Sequence, residues 1–249
     1  MGLAGFSSFS PRPVLDALRH PLRHLVREVT RPSLQTVEGK VYLGEGQPVM
    51  VFPVLGGGPE STVRLRGALA RAGFSAYDWG LGLDSGPGEF GLDQCLRRLE
   101  EQVIELFEAE RRTITLLGWS LSGIYAREVA KRIDPLVRQV ITLGTPFNTT
   151  ADPRRQCEML RALESGQRLD AAVWQRIAQR PTVPCTSIYS MSDTAAPWQL
   201  CVQSESATFE NIQVMVGSHL EMPSHPKVLE VITHRLAQPA GEWRPFRSQ

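Results

Sequence analysis

The chain alternates between two hydrophobic patterns. Short continuous apolar runs are typical of strands buried on both faces, whereas longer segments with apolar residues every three or four positions are typical of amphipathic helices. The patterns predict strands at Gln47–Leu55, Phe74–Trp79, Thr113–Leu117, Val137–Leu143, Pro184–Ser190 and Asn211–Val216, with a weaker edge-strand candidate at Lys40–Leu43. They predict helices at Glu60–Ala72, Leu92–Arg112, Leu121–Arg132 and Ser224–Leu236. This alternation favours an α/β fold with a mostly parallel sheet flanked by helices.

The first segment outside the alternation is an N-terminal helical arm, residues 1–38. Its helix, Val14–Val29, is amphipathic and basic, and Pro21 is expected to divide it. Docking on the rest of the domain is the simpler interpretation. A basic amphipathic helix also suits the surface of an anionic membrane, so a peripheral membrane contact is one alternative, and an unstructured arm is the other.

The second such segment is a helical cap insertion, residues 148–183. No strand is evident there, and Cys157–Arg180 predicts two amphipathic helices separated by Gly166. The insertion divides the core into residues 39–147 and 184–249. An ordinary crossover helix with a long lead-in is the alternative to an insertion. The apolar side chains of the insertion either pack on the core or form an apolar wall facing a substrate, and the pattern leaves both open.

Composition excludes several classes of protein. The 249 residues carry 27 basic and 26 acidic side chains, a net charge of +1, which gives no electrostatic footprint for nucleic acid. The four cysteines form no CxxC pair and are too few for a disulfide scaffold. No HExxH motif is present, so we expect neither a metal nor a cofactor. Without an apolar run long enough for a signal peptide or a membrane span, we expect a cytoplasmic protein.

A serine motif lies between the third predicted strand and the helix after it. Residues 118–122 read GWSLS, with small residues two positions before and two after Ser120. A sharp strand-to-helix turn needs small residues there, and it holds the serine hydroxyl at the carboxyl edge of the sheet. Ser122 stands where glycine is usual, and Gly123 follows it. Ser122 is the poorer nucleophile candidate, because bulky Ile124 would then occupy a small position.

This string resembles the GxSxG elbow of the α/β-hydrolase superfamily, in particular of bacterial esterases and lipases. The resemblance extends from about Val49 to Leu236. It implies the chain order nucleophile, acid, histidine. His219 directly follows the last predicted strand, and Asp193 follows the fifth within a few residues.

We therefore assign Ser120 as the nucleophile, His219 as the base and Asp193 as the acid. A serine hydroxyl needs an adjacent imidazole to take its proton, and a carboxylate holds the imidazole in the correct tautomer. His225 at a helix start is the weaker alternative base. Glu205 and Glu210 are poorer acids, because they lie beyond the strand-end loop.

The resemblance also implies an oxyanion hole. The amide of Leu121, the residue after the nucleophile, is one expected donor, and the amide of Leu55 is the second. Val54 replaces the glycine usual in the Leu55 loop. Three further residues are expected at the substrate: Trp119, Thr145 and Phe147. For Thr145 and Phe147, core packing is the alternative.

Together these features predict a serine carboxylic-ester hydrolase, an esterase or lipase. It would act through an acyl-enzyme on small-molecule esters that are uncharged and lipophilic, with no nucleic acid as partner. An acyltransferase would use the same three residues and differ only in the acceptor. A non-catalytic binding protein with the same fold is the other alternative, because fold alone does not fix function.

Overall fold

The computed structural model describes residues 44–149 and 157–246. The predicted N-terminal arm and the edge strand at residues 40–43 lie outside these ranges. Of the predicted cap insertion, the described part includes residues 157–183.

The described residues form one sheet of six parallel strands. These are β1 (Pro48–Phe52), β2 (Ser75–Asp78), β3 (Ile114–Trp119), β4 (Val137–Leu143), β5 (Cys185–Tyr189) and β6 (Phe209–Gln213). Their order across the sheet is β2-β1-β3-β4-β5-β6. Every neighbouring pair is parallel, so all carboxyl ends lie at one edge of the sheet.

Six α-helices accompany the sheet in the described ranges. They are α1 (Val63–Arg71), α2 (Gly91–Glu110), α3 (Ser122–Arg132), α4 (Glu158–Ala162), α5 (Ala171–Ala178) and α6 (Pro226–Leu236). The segment His219–Ser224 adds a 3₁₀ helix just before α6. None of these helices is both long and apolar enough to cross a bilayer.

Side chains alternate between the two faces of the sheet, as strand geometry requires. In β1, Met50 and Phe52 face a core built with α2, α3 and the cap helices, whereas Val49 and Val51 face a second core with α1 and α6. Both faces are therefore apolar, which explains why the strands read as continuous hydrophobic runs. The predicted α/β class, with its parallel sheet between helices, is confirmed.

The largest differences from the predicted strands are at the C-terminal ends of the first and the last, each of which ends three residues earlier than predicted. The first strand ends at Phe52 rather than Leu55, because Pro53 has no N–H for the ladder. The last strand is Phe209–Gln213 rather than Asn211–Val216. Val214 and Val216 are buried beyond the end of the strand, so their hydrophobicity reflects core packing and not strand pairing.

One buried carboxylate on α3 links this helix to α5, in the predicted cap. The carboxylate of Glu128, buried on α3, lies 2.7 Å from Nε of Arg176 and 2.5 Å from Nζ of Lys131. Lys131 also donates to the carbonyl of Arg176, at 2.5 Å. Burial lowers the pKa of Lys131 to about 8, although Glu128 opposes the shift. The helix that follows Ser120 is therefore locked to one cap helix.

We expect Glu128→Gln to lower the free energy of unfolding by about 3 kcal/mol, because it leaves two cations beside a neutral buried group. Urea denaturation at neutral pH measures the change. The matched control is Glu230→Gln, which breaks an exposed pair with Lys227 and should cost less than about 1 kcal/mol. Equal losses in the two variants would contradict the role assigned to the α3–α5 pairs.

Candidate active site

Ser120 occupies a strained turn between β3 and α3. Its φ is +67°, a left-handed conformation that non-glycine residues rarely adopt. The Ser120 amide donates to the carbonyl of Leu143, at 2.9 Å, so the sheet holds one side of the turn. Helix α3 begins two residues later and holds the other side. A conformation this costly persists only where the surrounding structure fixes it.

Two glycines permit this turn. A Cβ on Gly118 would overlap the Cα of Gly123, and a Cβ on Gly123 would overlap the hydroxyl of Thr145. The close approach is therefore made by Gly123, one residue later than the usual small position. This explains why Ser122 is tolerated where glycine is usual.

Ser122 ties the serine turn to the loop after β1. Its Oγ lies 2.5 Å from the carbonyl oxygen of Pro53 and 2.8 Å from that of Trp119. In the sequence, Ser122 stands out only as a departure from the motif, and this role is not evident. No signal in one sequence marks it, because the partners are backbone atoms 69 and 3 residues away.

The loop after β1 is held by two sets of backbone hydrogen bonds. Gly57 donates to Val54 at 2.9 Å and closes a turn around Leu55. The backbone of Asp84 holds the turn from the other side. Its carbonyl oxygen accepts from the Gly56 amide at 2.7 Å, and its amide donates to the carbonyl oxygen of Gly57 at 2.8 Å.

The two amides predicted to form an oxyanion hole belong to Leu55 and Leu121. Leu55 and Ser120 line the same cavity, and Leu121 is the residue after Ser120. In the described part of the chain, neither amide donates to another protein group. The assignment of the two amides to an oxyanion hole stays a prediction.

The structure brings Asp193 and His219 together. Oδ2 of Asp193 lies 2.6 Å from Nδ1 of His219, and both residues are buried. The other carboxylate oxygen accepts from the amides of Ala195 (2.9 Å) and Ala196 (3.0 Å). These bonds fix the carboxylate, and the carboxylate fixes the ring. Nε2 of His219 is buried and has no hydrogen-bond partner in the described ranges.

Gly144, directly after β4, makes room for this pair. Its φ is +52°, and a Cβ there would lie 2.9 Å from both Oδ2 of Asp193 and Cε1 of His219. Such distances are too short for real side chains, so only glycine fits without displacing the acid or the imidazole. Sequence reasoning missed this residue.

A cavity of about 370 Å³ opens beside Ser120 and His219. Its other described lining residues come from the loop after β1, the start of the cap and the loop after Asp193: Val54, Leu55, Cys157, Glu158, Met159, Arg161, Thr194, Ala195 and Pro197. Oγ of Ser120 donates to Sδ of Met159, at 2.9 Å. Burial raises the pKa of the Cys157 thiol, which keeps it protonated and makes it a poor rival nucleophile.

The three residues predicted at the substrate lie around the site, outside the described lining of the cavity. The ring of Trp119 packs beside the imidazole of His219, with 6.0 Å between the centres of the two rings. Thr145 is buried against Gly123. Phe147 is buried with the Arg127 guanidinium 3.8 Å from the centre of its ring. For Thr145 and Phe147 this is the core-packing alternative.

A buried carboxyl group lies behind the loop after β1. The Asp84 side chain is 1% exposed, and burial raises its pKa to about 6, although a hydrogen bond from the Gly86 amide (3.0 Å) opposes the shift. Its Oδ2 has no partner among the described residues. Ionisation of Asp84 is therefore less favourable in the folded protein than in the unfolded chain. Within the described residues, no cluster of His, Cys, Asp and Glu could hold a metal ion.

We expect Gly144→Ala to separate Asp193 from His219. An alanine in the left-handed conformation costs about 1–2 kcal/mol, and the overlap of its Cβ with the two side chains adds to this cost. The free energy of unfolding should therefore fall by about 3 kcal/mol or more. The control is Gly241→Ala, which has φ +81° but nothing within 4 Å of the added Cβ. Proton NMR of the wild type should show a low-field imidazole Nδ1–H signal that Asp193→Asn abolishes. That signal should disappear in Gly144→Ala and persist in Gly241→Ala; its persistence in Gly144→Ala would contradict the packing argument.

We expect Asp84→Asn to change how stability depends on pH. The folded state binds this proton more tightly than the unfolded state, whose pKa is near 3.8, so wild-type stability falls as pH rises from about 4 through about 6. A pKa difference of about two units between the folded and unfolded states corresponds to a loss of about 3 kcal/mol in the free energy of unfolding. The stability of Asp84→Asn relative to wild type should therefore rise by most of that amount, about 2 kcal/mol, between pH 4 and pH 7.5, measured by urea denaturation. Parallel profiles would contradict the burial argument.

Several proteins of known structure share the fold of this chain. No family model and no curated protein matches the chain. Among solved structures, it is similar to a monoacylglycerol lipase from Paleococcus ferrophilus, with a TM-score of 0.54 and 15% identity over 77% of this chain and 96% of that one. It is also similar to lipase B from Aspergillus fumigatus, with a TM-score of 0.59 and 15% identity over 83% of this chain but only 56% of that one.

A third similar structure is a bromoperoxidase from Bacillus anthracis, with a TM-score of 0.56 and 12% identity over 78% of this chain and 92% of that one. Identities this low establish a common architecture and leave the chemistry to be argued from the site. The sheet, its helices and these likenesses together show that this chain has the α/β-hydrolase fold.

Proposed function

We propose that this protein is a serine hydrolase that cleaves carboxylic esters through an acyl-enzyme. One observation carries the proposal. Ser120, at a strained strand-to-helix turn, shares a cavity with His219, an imidazole fixed by a buried carboxylate. The nucleophile, the orienting acid and the base follow one another in the chain order typical of this fold.

In this mechanism each of the three side chains has one task. Nδ1–H of His219 donates to Asp193, which leaves Nε2 as the acceptor. As Ser120 attacks the ester carbonyl, Nε2 takes the hydroxyl proton and then passes it to the departing alcohol. In the second half, a water attacks the acyl-enzyme, His219 takes its proton, and the acid product leaves as Ser120 regains its hydrogen.

The negative charge of the tetrahedral intermediate falls on the former carbonyl oxygen. The amides of Leu55 and Leu121 are the proposed donors to it, since both lie beside Ser120 without a protein acceptor in the described ranges. Each donor of this kind typically contributes about 3–4 kcal/mol to lowering the barrier.

The lining of the cavity favours an uncharged, lipophilic small-molecule ester. Val54, Leu55, Met159, Ala195 and Pro197 give it an apolar character. Its two charged lining residues are exposed and lie 3.8 Å from each other, a separation at which their charges largely offset: Glu158 and Arg161. Two of the similar structures are named as lipases, which agrees with this substrate class, whereas the bromoperoxidase shows that the fold also carries other activities.

The direct test compares wild type with Ser120→Ala on p-nitrophenyl acetate and butyrate. We expect kcat/KM to fall by about 10⁴-fold or more, as when the nucleophile of such a site is removed. Ser204→Ala, a change at an exposed serine, is the matched control and should keep the wild-type rate. A fluorophosphonate should label wild type at Ser120 and leave Ser120→Ala unlabelled. Equal ester turnover in wild type and Ser120→Ala would exclude Ser120 from the reaction.

A further inference from the structure

The hydroxyl of Ser120 is engaged by the cap and not by the imidazole. It donates to Sδ of Met159, at 2.9 Å, while the buried Nε2 of His219 has no partner in the described part of the chain. A general base must come within hydrogen-bond reach of the proton that it removes. The described arrangement is therefore a resting state in which the proposed nucleophile is not yet paired with its base.

Met159 also occupies space that a substrate needs. Reacting atoms must approach to about 3–3.5 Å before attack, and Sδ already lies at that range from Oγ of Ser120. Met159 is 5% exposed and lines the cavity together with Ser120. The thioether and an ester carbonyl cannot both lie over the hydroxyl.

We propose that Met159 is the gate of this site: its side chain covers Ser120 at rest and turns aside to admit the acyl group. The proposal rests on the hydrolase function proposed above and adds to it a gating and specificity-determining residue. Opening frees the hydroxyl to pair with Nε2 of His219.

The packing of the cap favours rotation of this side chain over movement of α4. Leu160 and Leu163 are fully buried in the core beside it. The C-terminal end of α4 is packed under a loop, since a Cβ on Gly86 would lie 2.9 Å from the carbonyl of Ala162 and 2.8 Å from the hydroxyl of Ser165. Methionine is unbranched and has three rotatable side-chain bonds, so it changes rotamer easily. The adjoining cavity of about 370 Å³ gives the thioether room to turn.

This gate defines the acyl group that the wild-type site accepts. The space released is that of one linear side chain, while the neighbouring core residues stay fixed. Unbranched acyl groups fit such a slot, and groups with a quaternary carbon beside the carbonyl do not. The substrate class is therefore esters of straight-chain carboxylic acids.

Three variants test the gate. Met159→Ala removes it, Met159→Leu keeps its bulk without the sulfur, and Met215→Ala changes a methionine that is 81% exposed. If the open state is a minor one, of at most about 10%, fluorophosphonate labelling of Met159→Ala should be about tenfold faster than that of wild type. Met159→Leu should be labelled no faster than wild type, and Met215→Ala should be labelled at the wild-type rate.

The ratio of p-nitrophenyl pivalate to butyrate turnover should rise about tenfold in Met159→Ala alone.

Labelling of Met159→Ala within twofold of wild type, or an unchanged pivalate-to-butyrate ratio, would overturn the gate. Acceleration of Met159→Leu equal to that of Met159→Ala would overturn it as well, because the hydrogen bond and not the bulk would then be responsible. If no variant is labelled and none hydrolyses an ester, the hydrolase function itself fails. The two failures are thus distinguishable.

A measurement without catalysis tests the contact itself. In protein carrying ¹³C-methyl methionine, the Met159 resonance is the one missing from Met159→Leu. Ser120→Ala should shift this resonance and leave that of Met215 in place. An unmoved Met159 resonance would show that the contact is absent and would overturn the gate even in an active hydrolase, or in one whose Met159→Ala variant fails to fold.

Discussion

The close approach of Gly118 to Gly123 is the constraint on which the site depends. It lets the chain leave β3 and enter α3 without an intervening loop, and this forces Ser120 into its left-handed conformation. The hydroxyl is then presented above the sheet edge, and the next amide is left without a protein acceptor in the described ranges. A side chain at either glycine would move the proposed nucleophile and one proposed oxyanion donor together.

The parallel sheet supplies the remaining parts because every strand ends at the same edge. The loops after β1, β3, β4, β5 and β6 contribute, in that order, the Leu55 turn, Ser120, Gly144, Asp193 and His219. Residues up to 164 positions apart in the chain, Leu55 and His219, are thereby brought to one place without any long-range sequence signal. Apolar burial determines the sheet, and the sheet determines where the polar groups meet.

The sequence predicted what depends on local pattern and missed what depends on distant contacts. Strands buried on both faces and amphipathic helices leave periodic signals, so the fold class was accessible. The predicted end of β6 was wrong because Val214 and Val216 are buried beyond the strand, and a residue buried outside a strand gives the same hydrophobic signal as one buried inside it. The roles of Ser122 and Gly144 escaped for a different reason: each is defined by its distance to atoms that no local pattern identifies. Phe147 lies beneath the buried guanidinium of Arg127, a pairing between residues 20 positions apart that hydrophobicity does not reveal.

The ion pairs of the buried Glu128 carboxylate with Arg176 and Lys131 are expected to give α4 and α5 different freedom to change in sequence. Helix α5 is bound to the helix that starts beside Ser120, so we expect substitutions in α5 to disturb the proposed site and to be tolerated poorly. Helix α4 faces the cavity and has no such ionic lock in the described ranges. Selection for new substrates therefore has an easier path through α4 than through α5, and divergent descendants of this protein should differ there first.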